Sequence, residues 1–273
     1  MSRRILSTYA RVASIAAKEA GVLLAQHAGR PLHVRTKRSP TDLVTEIDLA
    51  AEQLIHRILY RAYPTFGFLG EEHGQRRHQD EYRWIVDPLD GTTNFVHGLP
   101  LFGVSIGLEY RGTMLVGIIY DPMRRELFAG LKGSGATLNG TRIHVSKTRA
   151  LAQSLLSTGF SSNFLRQPTP YLKWFEAFQR TSHGVRRIGS TVFCLASIAS
   201  GRLDGFYEQD LWPWDIAAGI LLVKEAGGRV SDFTGGPPRL DAGRLVASNG
   251  SIHREMLRTL QRNTRRRPTP TRH

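Results

Sequence analysis

Cysteine is almost missing from this chain: Cys194 is the single one in 273 residues. An intramolecular disulfide is therefore excluded, and no thiolate set exists for a zinc site. Cys194 lies within the apolar stretch Val192-Phe193-Cys194-Leu195-Ala196, which predicts a buried core thiol rather than a nucleophile. Long hydrophobic runs are missing too, with nothing approaching the ~18–20 apolar residues that span a bilayer. Lys18 and Glu19 interrupt any signal-peptide core behind Arg3 and Arg4. The expectation is a cytoplasmic chain without membrane contact. Acidic residues are scarce, 23 Asp+Glu against 37 Lys+Arg, for a net charge of +14. Such a surface attracts phosphorylated metabolites, nucleic acid or acidic partners. Part of the excess is terminal, carried by Arg254, Arg258, Arg262, Arg265, Arg266, Arg267 and Arg272. Residues 263–273 contain no apolar side chain and read as a disordered basic tail.

What is present is ordinary globular composition, 41% hydrophobic and 22% charged, with enough chain to bury a sizeable core. Ile5, Tyr9, Val12, Ala16, Ala20, Leu23, Leu24 and His27 recur at helical spacing and stop at Gly29 and Pro31. Leu43, Ile47, Ala50, Leu54, Ile58 and Leu59 predict a second helix that ends before Pro64. Strands follow at Phe66–Leu69, Trp84–Val86, Val104–Glu109 and Leu115–Tyr120, the last two joined through an Arg111-Gly112 turn. Beyond Asn139-Gly140 strands and helices alternate to a last helix over Ile252–Gln261. The order predicts an α/β protein, a layered α+β sandwich of alternating helix and sheet layers. We divide it into an N-terminal subdomain 1–145, a C-terminal subdomain 146–262 and the tail, the first two sharing one body.

In so basic a chain the acids are informative. Trp84-Ile85-Val86 runs directly into Asp87-Pro88-Leu89-Asp90-Gly91-Thr92-Thr93. Two carboxylates three positions apart at a strand end repel unless a cation lies between them. Oxygen ligands of this kind suit a hard ion such as Mg²⁺. Gly91-Thr92-Thr93-Asn94 can open a helix whose N–H groups would bind phosphate beside the ion. Phe66 to Glu72 is a second apolar strand ending in paired acids, Glu71 and Glu72. Asp48 stands near the start of the second helix, and Asp215 in the first turn of an apolar one after Trp212-Pro213-Trp214. Taken singly, Asp48 and Asp215 read as helix N-terminal charges and Glu71-Glu72 as a solvated loop.

Taken together they resemble the inositol monophosphatase family. The resemblance runs from about Ala10 to Gln261. It rests on Gly70-Glu71-Glu72, on Asp87 through Phe95, and on Trp214-Asp215-Ile216-Ala217-Ala218-Gly219, supported by Lys37 through Thr45, Gly184 through Ser190 and Glu225 through Gly228. It implies a sugar-phosphatase type of fold, usually dimeric, and Mg²⁺-dependent, commonly Li⁺-sensitive phosphomonoester hydrolysis with two or three ions per site. By the same resemblance Glu71, Asp87 and the Leu89 carbonyl would hold one ion, and Asp87, Asp90 and Asp215 a second. Thr92 and Asp48 would orient or deprotonate the attacking water, with Glu71 the competing base. Lys37 would lie on a loop folded over the site, and the backbone of Gly91, Thr92 and Thr93 would cradle phosphate. Asp90, Ser190, Thr191, Glu208 and Asp215 would recognise the substrate alcohol. Glu208 points to inositol monophosphate or a similar small polyol phosphate. Fructose 1,6-bisphosphate, 3′-phosphoadenosine phosphate, histidinol phosphate and NADP are the alternative esters, and RNA or transcription-complex contact the alternative role for the basic surface.

Three further features are read as structural. Gly130-Leu131-Lys132-Gly133-Ser134-Gly135 lacks the P-loop Lys-Ser/Thr and predicts a turn between strands. His73, His78 and His97 show no metal-ligand spacing, and residues 75–80 read as a solvated loop. Trp212 is expected to pack rather than to line the pocket.

Overall fold

The computed structural model describes residues 2–37, 39–76 and 81–264. Arg38, His78 with the rest of 77–80, and the tail from 265 onward lie outside the described residues. The chain opens with α1 (Arg3–His27), the hairpin β1 (Val34–Thr36) and β2 (Leu43–Thr45), and α2 (Glu46–Ala62). It continues through β3 (Gly67–Gly70), β4 (Gly74–Arg76), β5 (Tyr82–Asp90), the single turn α3 (Thr92–Val96), β6 (Gly103–Tyr110) and β7 (Thr113–Asp121). Then come β8 (Glu126–Leu131), β9 (Gly135–Leu138), β10 (Thr141–Ile143), β11 (Leu155–Thr158), α4 (Pro168–Thr181) and β12 (Gly184–Arg186). Last are α5 (Thr191–Ala199), β13 (Gly205–Gln209), α6 (Pro213–Glu225), β14 (Arg229–Ser231), β15 (Arg244–Ser248) and α7 (His253–Thr264).

Eight strands form one sheet in the order β10-β9-β8-β7-β6-β5-β3-β4, and five form another, β12-β11-β13-β15-β14. Strand alternation sorts the cores. Val86, Val104, Ile106 and Ile118 pack with α1 and α2, whereas Ile85 meets Trp214 and Ala217 of α6. Phe206 faces α5 and α6, while its neighbour Tyr207 faces Trp174, Phe178 and Met256 of α4 and α7. The result is five layers, helix–sheet–helix–sheet–helix, as the predicted α/β layering requires.

Two helical faces differ from the expected ones. α1 buries Leu6, Ala10, Ala13, Ala16, Ala17, Ala20 and Leu24, and leaves Ile5 44% exposed. The helix approaches the sheet most closely through small side chains, so alanines form the centre of the contact while Tyr9, Val12 and Leu23 pack at its margin. α2 begins at Glu46, with Leu43 in β2, and buries Ile47, Asp48, Ala51, Glu52, Ile55 and Leu59. Its core stripe therefore carries two carboxylates. Residues 75 and 76, expected in a loop, extend β4 along the sheet edge.

Close approach also seats α6. Gly107 and Gly117 are cross-strand partners on β6 and β7, and a Cβ at 117 would stand 2.5 Å from the Ala218 carbonyl oxygen. Only glycine lets the α6 backbone rest there, and α6 carries Asp215 in its first turn. The Gly130–Gly135 segment is the β8–β9 turn, its Gly133 and Gly135 N–H groups each donating to the Glu225 carboxylate at 2.7 Å. Cys194 is buried in α5, as its apolar setting predicts.

His253, wholly buried, hydrogen-bonds Ser231 Oγ at 2.8 Å and Ser248 Oγ at 2.9 Å. Burial, reinforced by Arg229, pushes its pKa down to about 4. The fold thus favours the neutral ring, while the unfolded chain takes up a proton near pH 6.5. Stability from this group is complete above pH 6.5 and is lost as pH falls toward 4, by about 3 kcal/mol in all. Urea unfolding of wild type and His253→Gln at pH 7 and pH 4.5 checks this. The stability gap between them is expected to narrow at the lower pH, and an unchanged gap would contradict it.

Candidate active site

β3 and β5 run parallel, Gly70 opposite Val86, so their carboxyl ends share one edge. Glu71 follows β3 and its N–H donates to the Val86 carbonyl at 3.2 Å, which sets it beside Asp87. In β5 the register against β6 shifts: Asp87 pairs with Ser105 but Asp90 with Gly103. Residues three apart on a regular strand face opposite sides. The extra residue of this bulge, between Asp87 and Asp90, turns Asp90 toward the same group of acids as Asp87.

Asp87 is 1% exposed, with Oδ1 accepting from the Leu89 N–H at 3.0 Å. Asp90 Oδ2 accepts from the Val192 N–H at 2.8 Å and from the Ser190 hydroxyl. Asp215 Oδ2 accepts from the Trp212 N–H at 2.7 Å, closing the start of α6 with Pro213 in its first position. Burial raises the pKa of all three. Glu71, Asp90 and Asp215 push Asp87 up further, Asp90 and Glu71 do the same to Asp215, and Asp90 itself is carried to about 7 despite its donors. Among the described residues no three His, Cys, Asp or Glu side chains stand as a preformed metal cage. The donor set nonetheless fits a hard cation: Glu71, Asp90 and Asp215 each disfavour the charged form of Asp87, and Asp90 and Glu71 that of Asp215, so a cation placed among them would relieve the repulsion. Lys37 Nζ already serves Glu71 Oε1 at 2.7 Å and Glu72 Oε1 at 2.5 Å. Burial lowers the Lys37 pKa, but the two glutamates outweigh it and raise it overall.

Asp48 stands behind this cluster. Its Oδ2 accepts from the Thr45 N–H at 2.9 Å and Thr45 Oγ1 at 2.5 Å, and its Oδ1 from Thr92 Oγ1 at 3.1 Å. Burial raises the Asp48 pKa in spite of the Thr45 bonds. Thr92 Oγ1 also lies 3.1 Å from the Leu89 carbonyl. α3 is fixed from below by Asn94 Nδ2, which donates to the Leu101 carbonyl at 2.7 Å and the Ile188 carbonyl at 3.0 Å.

Above lies a cleft of about 850 Å³ whose lining includes Glu71, Asp90, Thr93, Thr191, Glu208 and Asp215. Glu208, at the end of β13, accepts from Thr191 Oγ1 at 3.2 Å, and burial lifts its pKa to about 8. A Cβ at position 159 would fall on its carboxylate, so Gly159 makes the room. Arg166 and Arg187 lie along the same cleft and give it a basic side. Asp48, Asp87, Leu89 and Ser190 are buried, whereas Lys37, Gly91 and Thr92 are partly exposed. Ser190 holds Asp90 and caps α5 through the Phe193 N–H at 3.1 Å. Trp212 stacks on Trp214 with centroids 5.4 Å apart and yet stays 46% exposed on the cleft wall, so it packs and lines the pocket at once. His97 is also at the wall, while His73 pairs with Glu52.

Sequence reasoning passed over Glu52. It is 1% exposed, and its Oε2 accepts from the Glu72 N–H at 2.8 Å. Its Oε1 accepts from the His73 N–H at 2.9 Å and sits 2.6 Å from His73 Nδ1. The available signal was its place one turn after Asp48, on the side of α2 that carries Ile47, Ala51 and Ile55.

The model of the inositol monophosphatase family matches residues 5–265. Nus factor SuhB of Pseudomonas aeruginosa is 43% identical over 92% of this chain and 94% of its own. An inositol-1-monophosphatase of Mesorhizobium japonicum is 42% identical over 90% of this chain and 94% of its own. Among solved structures, inositol monophosphatase from Anabaena superposes with a TM-score of 0.87 at 41% identity, covering 94% of this chain and 96% of that one.

Proposed function

This chain belongs to the inositol monophosphatase family, and from that premise we propose that it is a metal-dependent phosphomonoesterase acting on inositol monophosphate or a similar small polyol phosphate. The observation that carries the reading is the convergence of four carboxylates, Glu71, Asp87, Asp90 and Asp215, under a cleft that also presents Glu208. Glu71, Asp87, the Leu89 carbonyl, Asp90 and Asp215 would hold two or three Mg²⁺. Bound there, the ions would neutralise the phosphate, activate a water and stabilise the leaving alkoxide.

The chain's own groups supply the rest. Thr92 Oγ1 is oriented by Asp48 Oδ1, whose partner oxygen is committed to Thr45. A water hydrogen-bonded to Thr92 Oγ1 can pass its proton along that bond to Asp48 as it attacks phosphorus in line with the leaving oxygen. Glu71, the competing base, is engaged by Lys37 Nζ. The Gly91–Thr93 backbone, at the start of α3, would receive the phosphate oxygens, and the Glu208 carboxylate, with Thr191, would accept hydrogen bonds from ring hydroxyls of the alcohol. Ser190 enters through Asp90, which it steadies. No helix among the described residues is long and apolar enough to cross a membrane. A cytoplasmic homodimer completes the proposal.

Phosphate release from myo-inositol 1-phosphate, beside nucleotide, sugar and aryl phosphates and with and without Mg²⁺, tests it. Glu208→Ala is expected to lower kcat/KM for the inositol ester by about 10- to 100-fold, since a site built to hydrogen-bond a hydroxyl loses its partner. The aryl ester should lose less than about threefold. Equal losses on both would remove Glu208 from alcohol recognition. No hydrolysis of any ester would remove the phosphatase reading.

A second reading is favoured by the relative called Nus factor SuhB together with the net charge of +14. Contact with RNA or a transcription complex through the basic surface would show a steep salt dependence. Binding that is flat in salt would argue against it.

A further inference from the structure

Lys37 of the β1–β2 connection and the β3–β4 connection meet at the carboxylate cluster. Glu71 and Glu72 sit in the tight connection between β3 and β4, whose Glu72 and His73 N–H groups turn onto α2. There the Glu52 carboxylate, 1% exposed, collects the N–H groups of Glu72 and His73 and the His73 ring nitrogen at 2.8, 2.9 and 2.6 Å. Both of its oxygens are committed. A Cβ at position 70 would fall within its van der Waals shell, so Gly70 gives it access. On the other side Lys37 ties Glu71 and Glu72 together. The Glu71 turn is thus clamped between a buried anion on α2 and a cation on the β1–β2 connection.

The placement within α2 matters as much as the bonds. Asp48 and Glu52 are one helical turn apart on the buried stripe. Asp48 meets Thr92 at the start of α3, while Glu52 meets the turn that bears Glu71. One rigid helix, packed through Ile47, Ala51, Ile55 and Leu59, therefore fixes the spacing between the two sides of the site.

We infer that Glu52 is a positioning residue for the reaction proposed above: through the backbone of Glu72 and His73 it holds Glu71 at the place where a divalent cation is bound. The role rests on the reading of Glu71 as a metal ligand. It assigns a buried ion, which packing alone would not retain, to the geometry of a second carboxylate. Groups that orient metal ligands in this way typically contribute about 10- to 100-fold to affinity or rate.

Calorimetric titration of the metal-free protein with Mg²⁺, paired with amide hydrogen exchange at Glu72 and His73, separates the possibilities. Glu52→Gln keeps one acceptor oxygen and should raise the Mg²⁺ midpoint by roughly tenfold, lower kcat by a similar factor, leave KM for the ester within about twofold, and speed exchange at the two amides. Glu52→Asp, one methylene short of both amides, should behave no better than the glutamine. A variant with faster exchange and a lower melting temperature but an unchanged Mg²⁺ midpoint would overturn the positioning role, since a merely structural group predicts that result. Wild-type protein that takes up no Mg²⁺ would overturn the phosphatase reading and this role with it. Wild type that binds and hydrolyses normally beside unaltered variants would overturn the role alone.

Discussion

Asp90→Asn is expected to lower phosphate-ester hydrolysis by about 10³-fold, equivalent to ~4 kcal/mol of transition-state stabilisation, without weakening the metal-free fold. The two effects have separate origins. Asp90 Oδ2 is satisfied by the Val192 N–H at 2.8 Å and by the Ser190 hydroxyl, and the asparagine carbonyl oxygen can accept from both. The remaining oxygen belongs to the cluster with Asp87 and Asp215, where burial and Glu71 carry the Asp90 pKa to about 7. Replacing it with an amide removes a carboxylate whose charged form burial and Glu71 disfavour, and puts a donor where a cation ligand is required. Activity should fall while the thermal midpoint in chelator holds or rises. Measured with and without Mg²⁺, kcat/KM and the melting temperature decide the matter: full activity in the variant would end the metal assignment, and a loss of activity matched by unfolding would end the separation argued here.

How much of this site is visible in the sequence depends on how local its causes are. The run from Asp87 to Thr93 announces itself because strand, proline, carboxylates and glycine lie within a few positions, whereas Asp215, taken alone, reads as a helix N-terminal charge and joins the site only through the family resemblance. The β5 bulge that brings Asp87 and Asp90 together is not visible, since it exists only against the register of β6. The buried faces of α1 and α2 are rotated from the periodicity of the large apolar residues, although Ala16, Ala20 and Leu24 of α1 and Ile47 and Leu59 of α2 belong to both. Periodicity weights large apolar side chains, whereas contact with a sheet selects alanine, and the buried face of α2 includes Asp48 and Glu52. Glu52 is satisfied by backbone donors 20 and 21 positions away, which no window along the chain contains. Ser190 shows the opposite case. A matching motif places it with the alcohol contacts, but its hydroxyl is spent on Asp90 and on the cap of α5. Motifs identify residue types at a site, and the tertiary hydrogen bonds decide which atoms remain for the ligand.

Thr92→Val should reduce kcat by about 10²- to 10³-fold with little change in KM, the size expected when a proton-transfer group is removed from the transition state. Valine keeps the branched shape and deletes only the hydroxyl that donates to Asp48 Oδ1 at 3.1 Å. Serine keeps the hydroxyl, and Thr92→Ser should retain activity within about tenfold. Asp48→Asn should cost about as much as Thr92→Val, because Asp48 acts through the threonine: its Oδ2 is held by Thr45 and only Oδ1 faces Thr92. Two groups that serve one proton path lose their effect once, not twice, so the double variant should be scarcely slower than either single one. Multiplicative losses would mean that the two act on separate steps. Thr92→Val at nearly wild-type rate, with Glu71→Gln strongly impaired in chemistry at saturating Mg²⁺, would transfer the proton to Glu71 and leave Lys37, 2.7 Å from its carboxylate, as the group that must release it before each turnover.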